Sequence, residues 1–94
     1  CLLRLDLQEF AQSFDTPQSS RGVLQGTASV LDGRHRVVAE RAFAIEQAAA
    51  SADARGGVRA LVSASEELGR QIAAWLNELE KSGTLKSCLT IAAR

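Results

Sequence analysis

The sequence predicts an α+β fold in which a three-stranded antiparallel sheet packs on one long amphipathic helix, in the order β-β-β-α. Three observations predict it. Apolar and polar residues alternate in steps of two along Leu3–Gln8, Gly22–Leu31 and Arg36–Glu46, as strands with two unlike faces require. An Asp32-Gly33 pair separates the second and third of these runs, the strongest short-range signal for an antiparallel hairpin. From Asp53 to Ser82, Val58, Leu61, Val62, Leu68, Ile72, Trp75, Leu76 and Leu79 recur at three- and four-residue steps and share one stripe of a helix. We place strands at about residues 2–10, 22–31 and 36–46, the helix at about 53–82 and a tail at 84–94, in one domain spanning 1–94.

In the first strand Leu3, Leu5 and Leu7 face one way and Arg4, Asp6 and Gln8 the other. Glu9 and Phe10 break the alternation, which calls for a bulge or a strand end. Ala11 to Arg21 reads as a polar loop: Pro17 fixes φ, and Asp15, Ser19 and Ser20 offer side-chain bonds to the backbone.

The second strand sets Leu24, Gly26, Ala28 and Val30 inward. Its small members leave room for the helix to approach where Ser65 and Gly69 interrupt the helical stripe. Asp32-Gly33 then fills a turn that needs positive φ. In the third strand Val37, Ala39, Arg41, Phe43 and Ile45 share one face and Val38, Glu40, Ala42, Ala44 and Glu46 the other, and the pattern leaves open which is buried.

Gln47 to Ala52 connects to the helix, which Asp53 or Ser51 caps and Ser82-Gly83 ends. Its outer face carries both signs of charge, with Glu66 four residues before Arg70 in the favourable order. The tail, with Leu85, Leu89 and Ile91, supplies a short fourth strand or a fraying end. One helix covers only one side of the sheet, so Val23, Leu31, Val38 and Ala42 and the sheet edges are expected to stay partly exposed until further sequence or a partner covers them.

Ninety-four residues make one small domain with a modest core, since only three Phe and one Trp supply large rings. Eleven basic and eleven acidic residues cancel, which removes the electrostatic basis for nucleic-acid binding. No apolar run approaches the roughly 20 residues of a membrane span, and no signal peptide is present. The chain has no Met and begins at Cys1, which runs straight into a strand pattern. We therefore expect a piece of a longer polypeptide, half of a larger α/β domain lacking its N-terminal part.

Reactive groups are scarce. His35, beside the turn, has no His, Cys or Asp at ligand spacing and reads as a solvated turn residue. Asp6, Glu9, Asp15, Glu66 and Glu67 form no acid-base pairing, and Ser19 and Ser20 lack a base and a nucleophile elbow. Gly56-Gly57 matches no phosphate-binding pattern and reads as a loosened first helical turn. We therefore expect no enzymatic activity, no cofactor and no metal. Cys1 and Cys88 come to the same end of the sheet in an up-down-up topology, so a disulfide is allowed beside the alternative of free thiols. In the chain-entropy account it contributes on the order of 4 kcal/mol, and it implies an oxidising compartment.

Leu3-Arg4-Leu5-Asp6-Leu7-Gln8-Glu9-Phe10, then Ser13-Phe14-Asp15-Thr16-Pro17 and Ser19-Ser20-Arg21, resemble the pattern of the ABC-type transport auxiliary lipoprotein components of Gram-negative bacteria. The resemblance continues through Ala28-Ser29-Val30-Leu31-Asp32, Glu40-Arg41-Ala42-Phe43, Ser51-Ala52-Asp53-Ala54 and Ile72-Ala73-Ala74-Trp75-Leu76, and so covers most of Leu3 to Leu79. The paraquat-inducible lipoprotein is one relative in that family. The resemblance implies a non-enzymatic periplasmic lipoprotein, tethered to the outer membrane by a lipidated Cys upstream of this chain. Its implied partners are a transporter or a mammalian-cell-entry-type envelope protein, with lipid or other hydrophobic cargo. Cys1 aligns with an internal strand and is not that lipidated residue. A homo-oligomer is left open. The alternative is a generic periplasmic interaction or assembly module that binds a partner by adding a strand to a sheet edge.

Overall fold

Alternation along the first half of the chain builds one sheet in the order β1-β2-β3, both pairs antiparallel, from β1 (Leu2–Thr16), β2 (Ser19–Leu31) and β3 (Val37–Ala48). Helix α1 (Ala54–Ser82) follows, completing the predicted β-β-β-α order. The structure, a computed structural model, describes residues 1–86. Cys88 and most of the expected fourth strand lie outside the described residues. At 1.5 Å per residue the 29-residue helix spans about 44 Å and runs the length of the strands, giving extents of 54 × 20 × 18 Å. No described helix is long and apolar enough to cross a membrane.

The stretch Ala11 to Arg21 departs from its expected form. It is not a loop: β1 continues to Thr16, and Ala11, Gln12, Ser13 and Phe14 pair with Val23, Gly22, Arg21 and Ser20. The polarity that suggested a loop is that of an edge strand exposed to water. Only Pro17-Gln18 turns, where the Gln18 N–H donates to Thr16 Oγ1 at 3.2 Å. The break at Glu9 and Phe10 is a bulge: Leu7 pairs with Gly26 and Glu9 with Gln25, so Gln8 is unmatched. The spare residue changes the phase of the strand. Leu3, Leu5 and Leu7 before it and Phe10, Gln12 and Phe14 after it all share the face of Leu24, Ala28 and Val30.

That face carries the core. Ala28, Val30, Phe43, Ile72 and Trp75 form one buried cluster, and Leu24, Ile45 and Ala64 a second. The Phe43–Ile45 side of β3 is therefore the buried one. A register shift before Leu31 leaves Val38 unmatched, so Val37 faces outward opposite Leu31 while Val38 and Ala39 pack against the core.

Val23 and Leu31, expected to be partly exposed on the outer face, are buried; Ala42 is exposed as expected. Among the described residues the central strand is shielded by its lateral neighbours: Val23 sits between Ala11 and Glu46, and Leu31 between Leu2 and Val37. Arg21 reaches both outer strands there, with Nη1 at 2.6 Å from Glu46 Oε2 and Nε at 3.5 Å from Asp15 Oδ1. The Glu46 hydrogen bond, followed by the nearby Asp15 charge, raises the Arg21 pKa further above its already high ordinary value.

Asp32-Gly33 does begin the β2–β3 turn, but the positive φ falls at His35 (φ 62°). The His35 N–H donates to the Asp32 carbonyl at 3.0 Å and the Asp32 N–H to the Arg36 carbonyl at 2.9 Å, the pattern of a three-residue loop ending in a left-handed residue. Side chains other than Gly, Asn and Asp are disfavoured there. His35→Gly is accordingly expected to raise the unfolding free energy by about 0.5–1 kcal/mol, read from the urea midpoint at an unchanged slope. Loss of stability would show that the imidazole contributes more than its backbone strain costs.

Small side chains do let the helix approach the sheet, but at other positions than predicted. A β-carbon on Gly22 would lie 2.9 Å from the Ala60 backbone carbon, whereas Gly69 has open space around it and Ser65 is exposed. Gly26 instead makes room for β1: its β-carbon would lie 2.6 Å from the Asp6 carbonyl oxygen, beside the bulge.

Candidate interaction surface

The helix caps fix which part of the sheet is covered. Asp53 caps the N-terminus: its Oδ1 accepts from the Gly56 N–H at 2.8 Å and from the Ser51 hydroxyl at 2.7 Å. Both predicted cap residues thus take part. At the other end Gly83 (φ 82°) donates to the Glu80 carbonyl and Thr84 to the Leu79 carbonyl, a Schellman motif.

Gly56 and Gly57 are not a loosened turn. Both are buried, and added β-carbons would overlap the Ser51 carbonyl oxygen and the Gln12 carboxamide. The Gln12 Nε2 donates to Ser20 Oγ at 3.0 Å and to the Asp53 carbonyl at 2.9 Å, tying β1 and β2 to the start of the helix. On the outer helix face Arg70 pairs with Glu67 at 2.9 Å, three residues away, in place of the expected Glu66. That Arg70 contact, with help from Gln71, lowers the Glu67 pKa.

Anchored in this way, α1 lies over β2 and β3 and leaves β1 largely bare. Leu3, Leu5, Leu7, Phe10 and Phe14, all on the helix side of β1, are 41–54% exposed. Val58 and Val62, predicted to belong to the buried stripe, are 60% and 52% exposed. The stripe that meets the sheet is rotated toward Ala60, Ala64, Leu68, Ile72 and Trp75, so the valines flank it on the β1 side. Phe10, Val58, Leu61, Val62, Ser65 and Glu66 line an open groove between strand and helix. A second recess, lined by Leu5, Leu7, Leu24, Gly26, Phe43 and Leu68 among others, continues beside β1.

This strip was only half legible. The sequence placed uncovered apolar residues on the outer face, whereas the largest exposed ones lie beside the helix; the phase change at Gln8 was the signal that Phe10 and Phe14 join the leucines.

The chemistry-bearing residues do not converge on it. His35 sits at the opposite end of the β2–β3 hairpin from the helix cap, and Ser20 is buried in the Gln12 network. Among the described residues no group of three or more His, Cys, Asp or Glu is placed to hold a metal ion. The Cys1–Cys88 pairing involves a residue outside the described residues.

Two further carboxylates, Asp53 and Asp32, have lowered pKa values beside Glu67. In Asp53 the Gly56 N–H is the main cause and the Ser51 hydroxyl the next. In Asp32 the main cause is the Arg36 N–H, 3.0 Å from Oδ1, outweighing the opposing effect of desolvation, and the Arg34 N–H adds to it. A depressed folded-state value adds stability that is complete above the unfolded-state value of about 3.9 and is lost as pH falls through the folded-state value. The melting temperature should therefore change little between about pH 7 and 5 and fall below about pH 4. Asp53→Asn, which keeps a capping oxygen without the titration, should flatten part of that fall in scanning calorimetry; an unchanged acid limb would assign it to other carboxylates.

Comparison with family models, with curated proteins and with solved structures finds no match for the chain.

Proposed function

We propose that this chain is a non-enzymatic auxiliary lipoprotein component of an ABC-type envelope transport system, linked to mammalian-cell-entry-type proteins, that helps to move lipid or other hydrophobic cargo. The observation that carries the reading is the bare apolar strip of Phe10, Val58 and Val62 beside a well-covered sheet centre. A subunit that works by docking needs an apolar surface and no reacting groups. The order and spacing of the motifs from Leu3 to Leu79 support the same reading. In this proposal the full-length protein is periplasmic and held at the outer membrane by a lipid anchor upstream of Cys1.

The experiment is co-purification from detergent-solubilised envelopes. Recovery of a transporter or a mammalian-cell-entry-type protein, lost in Val58→Asp/Val62→Asp, is the expected result. Because both valines are exposed, the variant should fold, which circular dichroism checks. The edge of β1, unpaired among the described residues, favours a second reading, a periplasmic assembly module that accepts a partner's strand. Recovery of a soluble partner alone, insensitive to the valine changes, would select it. Turnover abolished by His35→Ala would point instead to a small hydrolase.

A further inference from the structure

We propose that the Leu2–Leu7 half of β1 pairs antiparallel with the same segment of a second copy, about a two-fold axis through Leu5. Among the described residues β1 has β2 on one side only, which leaves one row of its backbone donors and acceptors open to a second strand. On its helix side Leu3, Leu5 and Leu7 are 41–54% exposed, and on its outer side Arg4 and Asp6 stand two residues apart, Nε to Oδ2 at 3.1 Å.

Opposite charges at that spacing select a register. Pairing centred on Arg4 sets Arg4 against its own copy, and pairing centred on Asp6 sets Asp6 against its own; like charges directly opposite are destabilising. Centring on Leu5 sets Arg4 against Asp6 of the second copy twice over. The same register places Leu3 against Leu7 of the second copy and Leu5 against Leu5, so the apolar rows coincide. The bulge at Gln8 interrupts the regular strand and ends the pairing there.

The result is a continuous six-stranded sheet with both helices on one side. Such an isologous contact is closed and does not propagate along β1. The contact spans a six-residue segment on each copy and is of the weak, transient class rather than the standard one of roughly 800 Å² per partner. It does not rest on the transport reading, since the Phe10–Val58–Val62 groove stays open.

Sedimentation equilibrium from about 10 μM to 1 mM tests it, concentrations chosen to span a weak interface. The expected result is a monomer–dimer equilibrium, weakened at least about tenfold by Arg4→Asp or by Asp6→Arg and restored by the double exchange, a recovery that only mutual pairing produces. Leu5→Cys should cross-link to itself under mild oxidation, mapped by mass spectrometry, far faster than Val37→Cys on the other edge strand. A monomer throughout, single variants that associate like the original, or equal cross-linking at both positions would overturn the proposal. A monomer whose β1 amides are protected from exchange would overturn it too, by showing that the edge is covered within one chain.

Discussion

Trp75→Ala is expected to lower the unfolding free energy by about 3–5 kcal/mol, a large share of the roughly 5–15 kcal/mol that holds a domain of this kind folded. Trp75 is 6% exposed at the centre of the larger core cluster, and its ring meets Phe43 edge-on, with centroids 6.1 Å apart at 75°. That geometry is worth about 0.5–1.5 kcal/mol beyond the area buried. Phe43 in turn carries the Arg41 guanidinium, 5.5 Å from its ring centroid. The Trp75 neighbours Phe43, Ile72, Leu68, Leu76 and Leu79 are held on the sheet and helix backbones, so they relax only partly into the space the ring leaves. Urea unfolding followed by circular dichroism measures the loss, because the substitution removes the sole tryptophan signal. A loss below about 1 kcal/mol would mean that the helix does not seat on β2 and β3 through this ring.

Gly56→Ala and Gly69→Ala are expected to have opposite signs, although both replace a helical glycine with the best helix former. Propensity alone predicts a gain of about 1 kcal/mol at each. At Gly69 nothing lies within 4 Å of the added carbon, so the gain should appear in full. At Gly56 the carbon overlaps the Ser51 carbonyl oxygen, and relief requires moving the Ser51–Asp53 backbone that supplies the cap. Overpacking of this kind costs about 1–3 kcal/mol, and losing the cap adds to it, so sterics outweigh propensity. Thermal melts of the two variants beside the original chain decide the point. Stabilisation at both positions would show that the loop before α1 yields freely.

These cases mark how far the sequence could be read. The helix was legible from end to end, because a three-to-four residue period, a capping Asp53 and a stopping Gly83 are local signals. The three strands and their order followed from alternation and the Asp32-Gly33 pair. The length of β1 was hidden, because an edge strand facing water carries the same polar residues as a loop. The roles of Gly22, Gly26, Gly56 and Gly57 were hidden for another reason: close approach is a property of two segments at once, and only the fold names the second. The exposed strip fell between. Its residues were visible as apolar, but a rotation of the helix by a fraction of a turn moved Val58 and Val62 from core to surface.

The unmatched Gln8 gives β1 an unusual tolerance. Elsewhere in a strand, removing one residue turns every later side chain over and carries apolar groups from one side to the other. Removal of Gln8 would instead leave Leu7 and Glu9 adjacent, already matched to the neighbouring positions Gly26 and Gln25. Both halves of the strand would keep their present orientation and their present partners. A length change that would scramble the sheet at Leu5 or Ala11 is absorbed at Gln8, in the middle of the strand, which makes it a natural place for the chain to have gained or lost a residue.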